Sequence, residues 1–298
     1  MSLPNFLILG APKCATTAMH FYLSQHPQVF MSPFKEPPFF EAEYERGLDY
    51  YRRKYFSAWN GETVIGESSP SKLVCPWVAQ RIHQSLPQVK LLALLRDPVT
   101  RAYSSWWMKY SRGLEELSFE KAIEANLTSI EEATDDRQAE MLRYSKCRAG
   151  GVSATPTEPF RFYLDSGYYH RQLIPYFELF QPSQIRVVFF EELTADLTDG
   201  LQEVFEFLEI TPMTSEINLE PRNQSLGSWA ATVSQGRSGK LLARFPKRLV
   251  GAVQRAATVL GPKAPSMCPK TQVRLRQHFR PANHDQAELL GRRLPWEV

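Results

Sequence analysis

The chain has little that would send it into or across a membrane. It holds no apolar run near the about 20 residues a spanning helix needs. Its first residues carry no basic cluster ahead of an apolar stretch, so no secretory leader is read there. Read as it stands, the chain is expected to be cytoplasmic, and the sequons at Asn126 and Asn223 then carry no weight. Cysteine is also scarce. Cys14, Cys75, Cys147 and Cys268 lie far apart with no CxxC pair, which argues against a zinc site and a disulfide scaffold and leaves one Cys147–Cys268 bridge open. An excess of charge of either sign is nearly absent, with 35 Lys and Arg against 32 Asp and Glu. A net charge of +3 does not indicate a nucleic-acid binder. What remains is globular: 43% apolar and 22% charged residues over 298 positions, enough for one large α/β domain or two small ones.

The most informative stretch comes first. Asn5-Phe-Leu-Ile-Leu9 is a short uncharged run that reads as a buried strand. Gly10-Ala-Pro-Lys-Cys-Ala-Thr-Thr17 reads as a tight loop, and Ala18 to Leu23 as a helix with Met19, Tyr22 and Leu23 on one side. The first amides of a helix have no partner within it, and the helix dipole adds positive potential, so the turn suits an anion. Thr16 and Thr17 add hydroxyls, Lys13 adds a full charge, and the small Gly10, Ala11 and Ala15 let an anion approach the backbone. The same residues also suit an ordinary turn with an exposed lysine. The triphosphate-binding GxxxxGK[ST] pattern is missing, because Ala15-Thr16 stands where its Lys-Ser/Thr pair belongs.

A lysine three residues after the glycine resembles the 5′-phosphosulfate loop of sulfotransferases, which use 3′-phosphoadenosine 5′-phosphosulfate (PAPS) as donor and release adenosine 3′,5′-bisphosphate (PAP). That family usually has Gly where Ala15 stands. The resemblance makes Gly10, Lys13, Cys14, Ala15, Thr16 and Thr17 donor-binding positions.

Met31 to Phe40 holds Pro33, Pro37 and Pro38, which forbid regular structure and imply a stiff, extended loop. It carries Lys35 and Glu36 beside Phe34, Phe39 and Phe40. From the residues alone, this is either a surface ion pair next to an apolar plug or a carboxylate made basic by desolvation. Lys-Glu-Pro-x-Phe-Phe resembles the sulfotransferases that modify heparan-type glycans and their bacterial relatives, where the glutamate is the catalytic base. By that resemblance Glu36 is the base and Lys35 sits near the transferred group. Gly47-Leu-Asp-Tyr-Tyr51 also resembles the family. Thr63 to Pro70 reads as a strand ending in a turn, with Ser68 where some relatives carry a second lysine.

Val89-Lys-Leu-Leu-Ala-Leu-Leu95 holds a continuous apolar run from Leu91, as expected of a central parallel strand buried on both faces. Arg96 stands at its carboxyl end, where open α/β sheets place ligands. Pro98 suits the first turn of a helix, from which Arg101, Ser104 and Ser105 project. Arg96 can fork onto a phosphate, although an Arg-Asp helix start is common without one. Leu-Arg-Asp-Pro-x-x-Arg-Ala-x-Ser resembles the family's 3′-phosphate signature, which assigns Arg96 and Ser104 to that phosphate.

The remainder is less specific. Lys109 to Cys147 reads as a solvated helical face and Gly150 to Pro159 as a loop. Gly167-Tyr-Tyr-x-x-x-Leu173 resembles the family's Gly-x-Tyr-x-x-x-Leu. Tyr168 and Tyr169 are both candidates to reach the nucleotide or acceptor, with core packing at least an equal alternative; Tyr168 is assigned to the donor, and His170 is read as structural. Gln184 to Phe190 is a further buried strand, followed by an amphipathic helix from Asp196 to Leu208. Between Gly236 and Arg280 there are many cations and no Asp or Glu. That segment suits donor contacts, an acidic carrier protein, a membrane surface or a solvated helix. Gln272 to Trp296 resembles the family's last helices.

The expected architecture is one α/β domain over residues 1–298: a P-loop-like parallel sheet of about five strands flanked by helices. The resemblance implies sulfuryl transfer from PAPS to an acceptor hydroxyl or amine, with no metal. The acceptor is a small molecule, lipid, glycan or carrier-bound acyl chain. The alternatives are an ATP-dependent small-molecule kinase and a catalytically silent nucleotide-binding docking module.

Overall fold

The computed structural model describes residues 3–132, 160–213, 217–219 and 264–297. The loop expected at 150–159, Cys147, and most of the basic stretch from 236 lie outside these residues. Strands β1 (Phe6–Gly10), β2 (Val29–Met31), β3 (Val64–Ser68), β4 (Lys90–Leu95) and β5 (Ile185–Phe189) form one sheet in the order β2-β3-β1-β4-β5. Every pairing is parallel. The uncharged runs at Phe6–Leu9 and Leu91–Leu95 are fully buried because they occupy the sheet centre, covered on both faces.

Helices fill the crossovers. They are α1 (Thr16–Leu23), α2 (Gly47–Tyr55), α3 (Ser71–Val74), α4 (Val78–Ser85), α5 (Pro98–Tyr110), α6 (Phe119–Glu131), α7 (Tyr169–Leu179), α8 (Phe190–Ala195), α9 (Leu197–Leu208) and α10 (Pro269–Leu290). Asp97 starts α5 by accepting a hydrogen bond from the Val99 N–H at 3.1 Å, with Pro98 in the first turn. Met19, Tyr22 and Leu23 are buried on one side of α1, the side that packs on the sheet. A second apolar cluster joins α5, α6 and α10 through Val99, Trp106, Phe119, Leu275 and Phe279. Among the described residues no helix is long and apolar enough to cross a membrane. Among the described residues Cys14, Cys75 and Cys268 form no disulfide with one another.

The proline-rich loop departs from a fully extended course. Phe39–Glu43 closes a π-helical turn, and Phe39 and Phe40 are fully buried against Tyr51. The prolines end at Pro38, so the aromatic pair is free to coil. Burial of two rings, about 1.5–3 kcal/mol for each large apolar side chain, outweighs the poorer geometry of such a turn. His26 is tied in at both ring nitrogens: the Gln28 N–H donates to Nδ1 at 3.1 Å and Nε2 faces the Thr211 carbonyl at 2.8 Å.

Because all five strands run the same way, the segments after Gly10, Met31, Ser68 and Leu95 emerge on one edge of the sheet. The pairing of β1 and β3 depends on Gly66, where a Cβ would lie 2.8 Å from both Met31 Sδ and Phe6 Cδ1. Gly66→Ala is expected to cost about 1–3 kcal/mol by overpacking, measured as a lowered midpoint in chemical denaturation.

Candidate active site

The loop after β1 is held by its neighbours. The Ala11 N–H donates to Leu94 O at 2.6 Å, and the Cys14 N–H donates to Ala11 O at 3.3 Å. At Gly10 a Cβ would stand 2.9 Å from Leu73 Cβ and 3.1 Å from Pro70 O, so α3 closes in where a side chain would otherwise be. Lys13 and Ala15 both take left-handed backbone, with φ of 70° and 65°. This is the conformation that glycine adopts without cost. The first helical hydrogen bond of α1 runs from Met19 N–H to Ala15 O at 3.0 Å, so the amides of Thr16, Thr17 and Ala18 precede it. Thr16 is buried and Thr17 half-buried. The Cys14 thiol turns inward, 3.9 Å from the Tyr169 hydroxyl, and burial pushes its pKa up to about 11. Its side chain supports the loop from below and does not face an anion.

The cations crowd together. Lys13 Nζ lies 3.6 Å from Met108 Sδ on α5, one turn beyond Ser104. Burial, followed by the repulsion of Arg112, Arg96 and Arg101, pushes its pKa down to about 8. Arg96 lies 4.3 Å from the centre of the Phe190 ring and donates to Lys13 O at 3.4 Å. Arg101 is fully buried, and its guanidinium donates to Tyr163 O. Its Nε and Nη1 have no hydrogen-bond partner among the described residues. Ser104 is half-buried on the same helix. Positive charge gathered in this way, in a partly desolvated place, calls for an anion.

Across the edge, the Glu36 N–H donates to Ser68 O at 3.0 Å, and Glu36 takes a left-handed φ of 63°. Lys35 Nζ donates to Ser68 Oγ at 3.2 Å and lies 3.7 Å from Glu36 Oε1. The serine at 68 thus holds the Lys35 ammonium at the end of β3. His20, one turn into α1, loses its proton readily: burial, followed by repulsion from Lys35, pushes its pKa down to about 4. It went unremarked in the sequence, although its spacing after Thr16 and Thr17 puts it near their side of the helix.

Tyr168 turns elsewhere. Its hydroxyl meets His278 Nε2 at 2.6 Å and its ring packs on Phe279 of α10. Tyr169 reaches the loop instead, donating to Arg96 O at 2.9 Å. It is also the tyrosine that Gly-x-Tyr counting from Gly167 designates. Successive residues at the start of a helix diverge by about 100°, so only one of the pair can face the sheet edge. Among the described residues no group of three or more His, Cys, Asp or Glu side chains could hold a metal ion.

The chain is 24% identical over 305 residues to the membrane-associated sulfotransferase kil1 of Dictyostelium discoideum, covering 81% of this chain and 65% of that protein. It is 28% identical over 300 residues to the bifunctional heparan sulfate N-deacetylase/N-sulfotransferase 2 of Bos taurus, covering 97% of this chain and 30% of that one. The chain therefore spans only about a third to two thirds of the length of these two relatives. A crystal structure of a sulfotransferase from Alicyclobacillus acidocaldarius shares the fold, with a TM-score of 0.68 at 24% identity over 99% of this chain and 98% of that one. Residues 3–226, which hold the whole sheet and the anion loop, match the family model described as the sulfotransferase domain, and the chain belongs to that family.

Proposed function

We propose that this protein transfers a sulfuryl group from PAPS to a hydroxyl or amine of an acceptor, with Glu36 as the base. The observation that carries this reading is the depressed pKa of Lys13, about 8, at the amino end of α1 among Arg96, Arg101 and Arg112. A site that resists its own protonated lysine is set up to take a multiply charged anion. The unpartnered N–H groups of buried Arg101 add to that demand.

The donor set fits PAPS. Lys13, Thr16, Thr17 and the first amides of α1 would hold the 5′-phosphosulfate, and Arg96 with Ser104 the 3′-phosphate. When bound, the donor supplies an activated sulfuryl group whose leaving oxygen gathers negative charge. Lys13 stabilises that charge, as positioned cations do in phosphoryl transfer. Glu36 accepts the proton of the attacking acceptor. Lys35, held by Ser68, fixes the side of the site on which the acceptor enters. The glycans, lipids and carrier-bound chains open to such a site share only a nucleophilic hydroxyl or amine, and the fold does not choose among them.

Three outcomes test this reading. Calorimetry should show binding of PAP in clear preference to AMP and Mg-ATP, weakened at least tenfold by Arg96→Ala; preference for Mg-ATP would move the chain to kinase chemistry. With labelled PAPS and a panel of N-acetylheparosan oligosaccharide, 2-naphthol and a long-chain alcohol, Lys13→Ala should lower kcat about 100-fold. In the same assay Glu36→Gln should abolish turnover while keeping PAP affinity, and a variant that loses only affinity removes Glu36 as the base.

A further outcome is pH-dependent. In the free protein Lys13 is protonated below about pH 8, and only that form attracts phosphate. Affinity for PAP should therefore hold between pH 7 and 8 and decline as pH rises above 8, with proton uptake on binding. Calorimetry in buffers of different ionisation enthalpy reads both effects, and a Lys13→Gln variant that keeps the same profile excludes Lys13 as its source.

A further inference from the structure

Behind the Lys35–Glu36 turn lies a set of buried charges to which the chemistry above gives no part. Lys72, on the short helix α3, is fully buried, as are Glu41 and Glu67. Lys72 Nζ stands 2.8 Å from Glu67 Oε1 and 3.4 Å from Glu41 Oε2, and donates to Pro37 O at 3.3 Å. Each partner is itself held. The Tyr51 hydroxyl donates to Glu67 Oε1 at 2.8 Å, and Ser69 Oγ donates to Glu41 Oε1 at 2.5 Å. The Tyr176 hydroxyl donates to Lys72 O at 2.8 Å.

Stability does not call for this arrangement. Removing three charges from water costs several kcal/mol per ion, and apolar replacements of such groups are often neutral or stabilising. The geometry gives another reason for it. Glu36 has a left-handed backbone, which must be imposed by its surroundings. Pro37 and Pro38 have no N–H, so the loop cannot anchor itself there with donors of its own. Its carbonyls are used instead. The Glu36 N–H is held by Ser68 O on one side, and Pro37 O is held by Lys72 on the other. Phe40 O and Glu41 O then accept from Arg81 at 2.8 Å and from Trp77 Nε1 at 3.1 Å.

We propose that Lys72 is a positioning residue for the base: bridging Glu41 and Glu67 while holding the Pro37 carbonyl, it fixes the Glu36 turn against the end of β3. The catalytic consequence rests on the proposed role of Glu36, whereas the fixing of the turn does not. Burial raises the Glu41 pKa above the ordinary carboxylate range, so Glu41 can stay neutral once its lysine is gone. That makes Lys72→Met/Glu67→Gln, which removes one charge of each sign, the informative variant.

The test uses the full chain and combines hydrogen exchange by mass spectrometry, thermal unfolding, PAP binding and turnover of labelled PAPS with the best acceptor of the panel above. The double variant should keep its unfolding temperature and PAP affinity. Amide exchange across residues 34–42 should rise at least tenfold, and kcat should fall at least tenfold. Exchange in that segment equal to the wild type overturns the proposal, and so does a rise spread evenly over the whole molecule. If the double variant does not fold, Tyr51→Phe replaces it, since that change removes one hydrogen bond to Glu67 and keeps the ring stacked on Phe39. A local rise in exchange is again expected, and none overturns the proposal. A wild-type chain that fails to bind PAP counts against the proposed donor and leaves the exchange result to decide the role of Lys72.

Discussion

Like-charge repulsion at the carboxyl edge of the sheet is the constraint to which the rest of the site answers. Lys13 from one stretch of chain and Arg96 and Arg101 from another are drawn together, and burial, followed by repulsion from the arginines, lowers the lysine pKa to about 8. Such a cluster does not assemble from flexible parts. It persists because β1 and β4 are adjacent, fully buried strands, and the Ala11 N–H bonded to Leu94 O ties the loop of one to the end of the other. Arg101 and Cys14 lie beneath, buried with the core, so the positive field has no solvent behind it to relax into. An anion placed among these cations would relieve that repulsion, so the electrostatics of the site favour negative charge.

Backbone conformation adds a second, smaller constraint. Lys13, Ala15 and Glu36 are left-handed without being glycine. All three belong to the loops assigned to chemistry, and strained backbone collects where surrounding structure over-determines it. Ala15 gives the clearest case. Related sequences usually carry glycine at this position, and the left-handed φ supplies the reason, since alanine meets a steric penalty there that glycine avoids. Glu36 is held by Ser68 ahead of it and by the Pro37 carbonyl behind it.

The two halves of the site were unequally legible. The strand–loop–helix at 5–23 and the strand ending at Arg96 follow from local pattern, because an uncharged run must be buried and a helix start must expose amides. The five-stranded parallel sheet follows in turn, since strands alternating with helices admit few topologies. Tyr168 and Tyr169 were not separable in this way. They are neighbours of the same type, and which one meets Arg96 depends on the angle at which α7 docks. Lys72 could not be singled out from the sequence, because nothing in Ser-Ser-Pro-Ser-Lys says that the ammonium will be buried between two glutamates.

The sequence by itself determined the family, the parallel α/β class of the sheet and the residues whose charges define an anion loop. These are properties of short stretches, set by burial, by helix ends and by the absence of a backbone donor in proline. Tertiary structure decided which charges feel one another. It brought Lys13 under the influence of Arg112, Arg96 and Arg101, placed His20 near Lys35, and enclosed Lys72 with Glu41 and Glu67 behind the Glu36 turn. Electrostatic coupling falls with distance and with solvent, and neither quantity exists until the chain has folded.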